Sequence, residues 1–163
     1  MSRTQNTKAL AEMIHQQVGG DLVPIELVTP YPENYQALVA QAQREQETRF
    51  LPPLKTQIDS IDKYEVVFVG FPTWGMQLPT PMKSFLTQYN LRGKTVIPFN
   101  TNAGYGLGNS IESIRTLCPS SNILQAYSTR GGIERDGALN VMEGERRTQV
   151  QRELEQWLKD LNF

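Results

Sequence analysis

An α/β fold with a doubly wound parallel sheet is what this sequence predicts, and two observations carry the prediction. Helix-patterned and strand-patterned segments alternate along the 163 residues, as they do when crossover helices join parallel strands that tight hairpins cannot connect. Val66-Val67-Phe68-Val69-Gly70-Phe71 is an unbroken β-branched and aromatic run. That is the composition of a strand covered on both faces, so it should be central in the sheet.

In chain order, the first helix covers residues 8–18, where Leu10, Ala11, Met13, Ile14 and Val18 recur at helical spacing. Gly19-Gly20 supplies the permissive backbone that ends it. Residues 22–28 are short, apolar and β-prone, and Thr29-Pro30-Tyr31-Pro32 follows with turn chemistry, which predicts a strand. The polar, Ala/Gln/Glu-rich stretch 33–47 is helical by propensity, and Pro52-Pro53 breaks any helix after it. Beyond the run at 66–71, the pattern predicts a helix over 79–89 with proline in its first turn and a strand over 95–99. A helix over 107–117 with Ile111, Ile114 and Leu117 on one side and a strand over 123–127 follow. Val150, Leu154, Trp157, Leu158 and Leu161 form one stripe, so the chain ends in an amphipathic helix. There is no internal repeat, low-complexity tract or long charge run, and residues 1–163 read as one domain.

Composition excludes several classes. A chain of this length buries roughly 70% of its unfolded surface around a single core. One cysteine forms no internal disulfide, so nothing points to an oxidising compartment and a cytoplasmic location is the expectation. With 16 Lys+Arg against 17 Asp+Glu, the net charge of -1 provides no broad basic face to displace counterions from nucleic acid. No apolar run approaches the ~20 residues that cross a bilayer, and the first residues lack a signal-peptide pattern. The expectation is a soluble, unprocessed protein.

In sheets of this class ligands bind beyond the carboxyl ends of the strands, and three loops qualify. Ser2-Arg3-Thr4-Gln5-Asn6-Thr7 leads into the first helix. Hydroxyl and amide side chains clustered with orphan N–H groups at a helix N-terminus suit a phosphate monoester. Plain N-capping by Thr4 or Asn6 needs only one such residue and is the simpler alternative. The second loop, Phe71-Pro72-Thr73-Trp74-Gly75-Met76-Gln77-Leu78-Pro79, places a large aromatic between Pro and Gly. It can stack on a planar ligand while backbone groups reach the ligand's polar edge; equally, Trp74 can pack as core. The third, Asn100-Thr101-Asn102-Ala103-Gly104-Tyr105-Gly106-Leu107-Gly108-Asn109-Ser110, is glycine-dense. Its G-x-G-x-G spacing and the lack of an acidic residue near the end of the next strand give little support to a Rossmann dinucleotide site. Small residues here let backbone donors approach a flat ligand, with Tyr105 as part of the wall or an exposed turn aromatic.

Other chemistries find no footing. Cys118 precedes Pro119 at a helix end and the lone His15 lies on the first helix, which makes a Cys-His nucleophilic pair improbable. There is no G-x-S-x-G elbow and no cluster with metal-ligand spacing.

Together the loops resemble those of the flavodoxin-like FMN proteins, over nearly the whole chain. Ser2-Arg3-Thr4-x-Asn6-Thr7 resembles that family's phosphate loop, Gly70-Phe71-Pro72-Thr73-Trp74-Gly75 its first ring loop, and Pro98-Phe99-Asn100-Thr101-Asn102-Ala103-Gly104 its second. Gly106-Leu107-Gly108-Asn109-Ser110 and Leu117-Cys118-Pro119 look like the branch of small bacterial flavodoxins. The resemblance implies FMN as cofactor and strand order 2-1-3-4-5 with the flavin at the switch point, flavodoxin being a standard example of that topology. It assigns Ser2, Thr4, Asn6 and Thr7, with the N–H groups of the loop, to the phosphate and Arg3 to charge support. Trp74 would stack on the ring. Backbone of Thr73, Gly75, Asn102, Ala103 and Gly104 would meet the ring's polar edge, with Pro72, Thr101 and Tyr105 completing the two clamps.

The chain departs from that pattern twice. Gln5 stands where the family usually has glycine, which holds the backbone further from the phosphate. Only Met1 precedes Ser2, where the family has an apolar first strand in mid-sheet, so strand 1 is absent from this sequence. A late start site or clipped N-terminus is the favoured explanation, ahead of a rearranged sheet or a strand borrowed from another chain, as in a homodimer.

The implied function is an FMN-dependent redox protein carrying electrons to a partner protein or small-molecule acceptor. Acidic neighbours disfavour the reduced, anionic flavin, and a near-neutral chain supplies less of that effect. It also weakens the case for docking through charge. An NAD(P)H-dependent reductase of quinones or similar acceptors on the same fold therefore stays open, as does a flavin-free interaction module with a degenerate site.

Overall fold

The computed structural model describes residues 4–163, so Ser2 and Arg3 of the expected phosphate loop lie outside the described residues. Helix α1 (Asn6–Val18) buries Ala9, Leu10, Met13 and Ile14, and Gly19 closes it at φ 71°, a positive value that favours glycine, with its N–H 2.8 Å from the His15 carbonyl. Helix α2 (Tyr35–Thr48) is capped by Asn34, whose side chain accepts from the Ala37 N–H at 2.9 Å. Strand β1 (Val66–Pro72), helix α3 (Thr80–Gln88) and strand β2 (Thr95–Asn102) follow. Helix α4 (Ser110–Leu117) starts three residues later than its pattern suggests, because Leu107, Gly108 and Asn109 belong to the preceding loop. Strands β3 (Asn122–Ile123) and β4 (Tyr127–Arg130) and helix α5 (Gly144–Asp160) complete the chain.

The pairings between these strands are parallel. β1 runs beside β2 from Val66↔Thr95 to Pro72↔Thr101. The opposite side of β2 is shared by β3 (Val96↔Ile123) and β4 (Phe99↔Tyr127 to Asn102↔Arg130). The strand expected at 123–127 is thus split: β2 advances from Val96 to Phe99 while its partner advances from Ile123 to Tyr127, one residue more, which interrupts the ladder as a bulge does. One face of the sheet packs on α1 and α5 through Ile97, Phe99, Leu10, Ile14, Leu154 and Leu158. The other packs through Val69, Phe71 and Val96 on Phe85, Leu86 and Ile114.

Two sequence expectations are corrected here. Residues 22–28 do not form a sheet strand: Leu27 makes one isolated antiparallel bridge with Leu54, and Leu22, Val23 and Val28 are exposed. β-Propensity records fit to a pleated surface with a neighbour, and none of the described strands lies beside this segment. The run at 66–71, expected to be central, is β1 at the edge of the described sheet with β2 in the middle, and β1, β2 and then β3 with β4 keep the succession expected of strands 3, 4 and 5.

Candidate functional site

The carboxyl ends of β1, β2 and β4 bring Pro72, Asn102 and Arg130 to one side of the sheet, level with the N-terminus of α1. The tie to α1 is direct. Thr7 Oγ1 lies 2.7 Å from Thr101 Oγ1, both residues being buried.

At that N-terminus Gln5 has φ 62°, a left-handed conformation that favours glycine. The side chain of Asn6 is turned away from the role expected of it. Its Nδ2 donates to the Leu139 carbonyl at 2.7 Å and to Thr4 Oγ1 at 2.9 Å, and its Oδ1 accepts from the Val141 N–H at 3.0 Å. Asn6 is therefore a buried clasp for the segment ahead of α5. What faces an anion here is the backbone: the first N–H groups of a thirteen-residue helix have no intrahelical acceptors and sit at the positive end of its dipole.

Beyond β1, Trp74 and Gln77 exchange backbone hydrogen bonds of 3.1 and 2.9 Å around Gly75 (φ 54°) and Met76 (φ 63°), the two positive φ values of a type I′ turn. Half-buried Trp74 meets Tyr31 edge-on, centroids 5.3 Å apart at 78°. Tyr31 is fixed in turn by buried Glu45, which accepts from its phenol, from Thr80 Oγ1 at 2.5 Å and from Gln41 Nε2 at 2.9 Å. Burial, then the Glu45 hydrogen bond, pushes the Tyr31 phenol well above the ordinary tyrosine range.

The third loop is built on Asn100 and Asn102. Fully buried Asn100 donates to the Phe71 carbonyl and to Thr73 Oγ1, each at 3.0 Å, and its Oδ1 accepts from Asn102 Nδ2 and Ser128 Oγ at 3.1 Å. Asn102 Oδ1 accepts from the Gly104 and Gly106 N–H groups at 2.8 and 3.0 Å. The loops then lock together: Thr73 Oγ1 donates to the Gly106 carbonyl at 2.7 Å, and the Asn109 N–H to the Met76 carbonyl at 3.0 Å.

Two expected ring donors, the N–H groups of Thr73 and Gly104, are committed by this network, as is the N–H of the stacking candidate Trp74. The N–H groups of Thr73 and Trp74 pair with the Thr101 and Gln77 carbonyls, and that of Gly104 with Asn102. Gly75 and Gly104 are exposed, Ala103 is half-buried, and Tyr105 is 70% exposed at the rim. Sequence reasoning missed Asn100 as the hub. An asparagine continuing an apolar strand, where both faces are covered, was the available signal.

A family model described as flavodoxin matches residues 1–144. The chain belongs to the flavodoxin family. At the level of that family, this is a flavin-binding redox fold. The similar solved structures agree. A Bacteroides eggerthii protein assigned to the flavoproteins is 26% identical, with 99% of this chain and 94% of that one covered at a TM-score of 0.78. A Bacteroides uniformis protein assigned likewise is 22% identical, with 94% and 93% covered at 0.75. A Lactobacillus acidophilus flavoprotein solved in complex with FMN is 22% identical, with 82% and 91% covered at 0.66. No curated protein matches.

The residues of this flavodoxin family member fit a phosphorylated planar ligand. The α1 N-terminus offers donors to a phosphate. A Cβ built on Gly75 or Gly106 would meet nothing within 4 Å, so both turns have room on their outer side. A groove of about 1070 Å³ runs past Gln5, Thr7, Pro72 and Trp74. Among the described residues no group of His, Cys, Asp and Glu could hold a metal, and no helix is long and apolar enough to cross a membrane. Cys118 is buried with its thiol pushed up by that burial, which makes it a poor nucleophile.

Proposed function

We propose that this chain binds FMN between the Trp74 turn and the 103–109 loop and works as an electron carrier. Bound flavin would supply the redox chemistry. The backbone at the α1 N-terminus, with Thr4, would hold the phosphate, and Trp74 would stack on the ring. The single observation that carries this reading is the convergence of three loops with phosphate-binding and ring-stacking chemistry at one end of a parallel sheet. The electron acceptor would be a redox partner protein or a small molecule.

Titrating FMN into purified protein tests the binding step, with quenching of flavin fluorescence as the readout; Trp74→Ala should weaken binding about tenfold or more through lost stacking. A colourless protein that leaves FMN fluorescence unchanged would sink the reading and favour the flavin-free module.

A second reading, an NAD(P)H-dependent reductase, is favoured by one observation. Arg146 lies beside the site, its Nη2 2.6 Å from Thr129 Oγ1 and 3.4 Å from the Arg130 carbonyl. Positive charge there would favour the reduced, anionic flavin and so ease its reduction. Stopped-flow mixing with NADPH separates the two: rapid bleaching of the flavin supports the reductase, and inertness without a partner reductase supports the carrier.

A further inference from the structure

A ring that stacks on a flat ligand does so at least cost when it is already held in the orientation the ligand needs. Trp74 opens a turn whose next two residues, Gly75 and Met76, are exposed. Its backbone pairs with Gln77, and its indole N–H makes no hydrogen bond to another described residue, so packing orients the ring. The aromatic neighbour is Tyr31, edge-on with centroids 5.3 Å apart at 78°. That geometry is preferred for aromatic pairs and fixes one ring relative to the other.

Tyr31 belongs to no helix or strand, so its ring needs an anchor elsewhere. Its hydroxyl has one. Glu45 on α2 accepts on one carboxylate oxygen from the Tyr31 phenol and, at 2.5 Å, from Thr80 Oγ1 at the start of α3. The two hydroxyls lie 3.0 Å apart, and Gln41 Nε2 donates to the other carboxylate oxygen at 2.9 Å. Tyr31, Glu45 and Thr80 are all buried. Accepting from three donors is the behaviour of an ionised carboxylate, and among the described residues no Lys or Arg forms an ion pair with it. A buried charge without a cation is a costly way to fill space that an apolar side chain would fill. What the carboxylate adds is direction, because hydrogen bonds hold the phenol at one place between α2 and α3 where apolar packing would let it slide.

We infer that Tyr31 is a positioning residue for the flavin site: anchored by Glu45 and Thr80, it holds the indole of Trp74 in the orientation that stacks on the ring. Its part in flavin binding rests on the proposed function; its hold on Trp74 does not.

Two measurements on the full chain test this. The first uses flavin-free protein carrying Trp157→Phe, so that Trp74 is the lone indole. Time-resolved fluorescence anisotropy should show a subnanosecond component about twofold or more larger in Tyr31→Leu, which removes the ring contact, and in Tyr31→Phe, which removes the anchor. Glu45→Gln keeps an oxygen that accepts from the phenol and should stay close to the parent. The second is a double-mutant cycle read by isothermal titration with FMN. Tyr31→Phe should weaken FMN about threefold to tenfold when Trp74 is present and by less than about twofold in Trp74→Ala, because the two residues act through one contact. Urea unfolding of each variant confirms that it is folded at the titration temperature, and Thr80→Val, which removes one anchor and keeps the ring, replaces Tyr31→Phe if that variant is not. FMN binding with unchanged anisotropy, or with equal losses in the two backgrounds, would overturn the positioning role alone. A parent that binds no FMN would end the proposed function and the flavin role of Tyr31 with it.

Discussion

A Cβ at Gly108 would lie 2.0 Å from the carbonyl oxygen of Met76, so the Trp74 turn and the third loop meet backbone to backbone. Gly108 also has φ 54°. Gly108→Ala should therefore cost about 2–4 kcal/mol, from a clash with immovable backbone added to left-handed strain. Gly75→Ala, with the same φ but open space around it, should cost only about 1–2 kcal/mol. Urea unfolding of the two variants checks the contrast.

Asn6 holds residues 139–141 from 133 positions away. Asn6→Ala leaves the Leu139 carbonyl and the Val141 N–H, both in part-buried hydrogen bonds, without their partner, and should cost about 1–3 kcal/mol. Limited proteolysis should show new cleavage between residues 131 and 143. If the variant is as stable and as resistant as the parent, the clasp is unimportant.

The left-handed Gln5 predicts a gain from glycine. Gln5→Gly removes roughly 1–2 kcal/mol of strain and returns roughly half to one of that as unfolded-state entropy, so urea stability should rise by up to about 1 kcal/mol. FMN, on the proposed function, should bind several-fold tighter because the backbone can approach the phosphate more closely. Isothermal titration of both proteins measures the difference.

Two buried tyrosines should contribute to the loss of stability at alkaline pH. Burial, followed by hydrogen bonding to Glu45 for Tyr31 and to Glu153 for Tyr127, raises both phenols in the folded state. Their contribution is fully present below about pH 10, the unfolded tyrosine value, and is lost as pH rises towards the folded values. Urea midpoints should fall above about pH 10, and the fall should be shallower in Tyr31→Phe and Tyr127→Phe.

Much of this was legible in the residues, unevenly. The Val66–Phe71 run, the stripe ending at Leu161 and the proline in the first turn of α3 each identify their element. The loops were found as segments, but not their internal wiring. Nothing in the order of residues says that Asn6 faces Leu139 instead of the loop mouth, or that Asn100 joins three strands.

The sequence by itself determined the local features: apolar spacing that makes helices amphipathic, glycines where φ is positive, and a strand run without a polar break. Helical hydrogen bonds close within four residues, so they can be read locally. Tertiary structure decided everything that needs a distant partner. Residues 22–28 have the composition of a strand but make only an isolated bridge, to Leu54, and join no described sheet, whereas β1 has the composition of a central strand and lies at an edge of the described sheet. A strand's backbone groups are satisfied only by another segment, and which segment arrives beside it is a property of the whole fold.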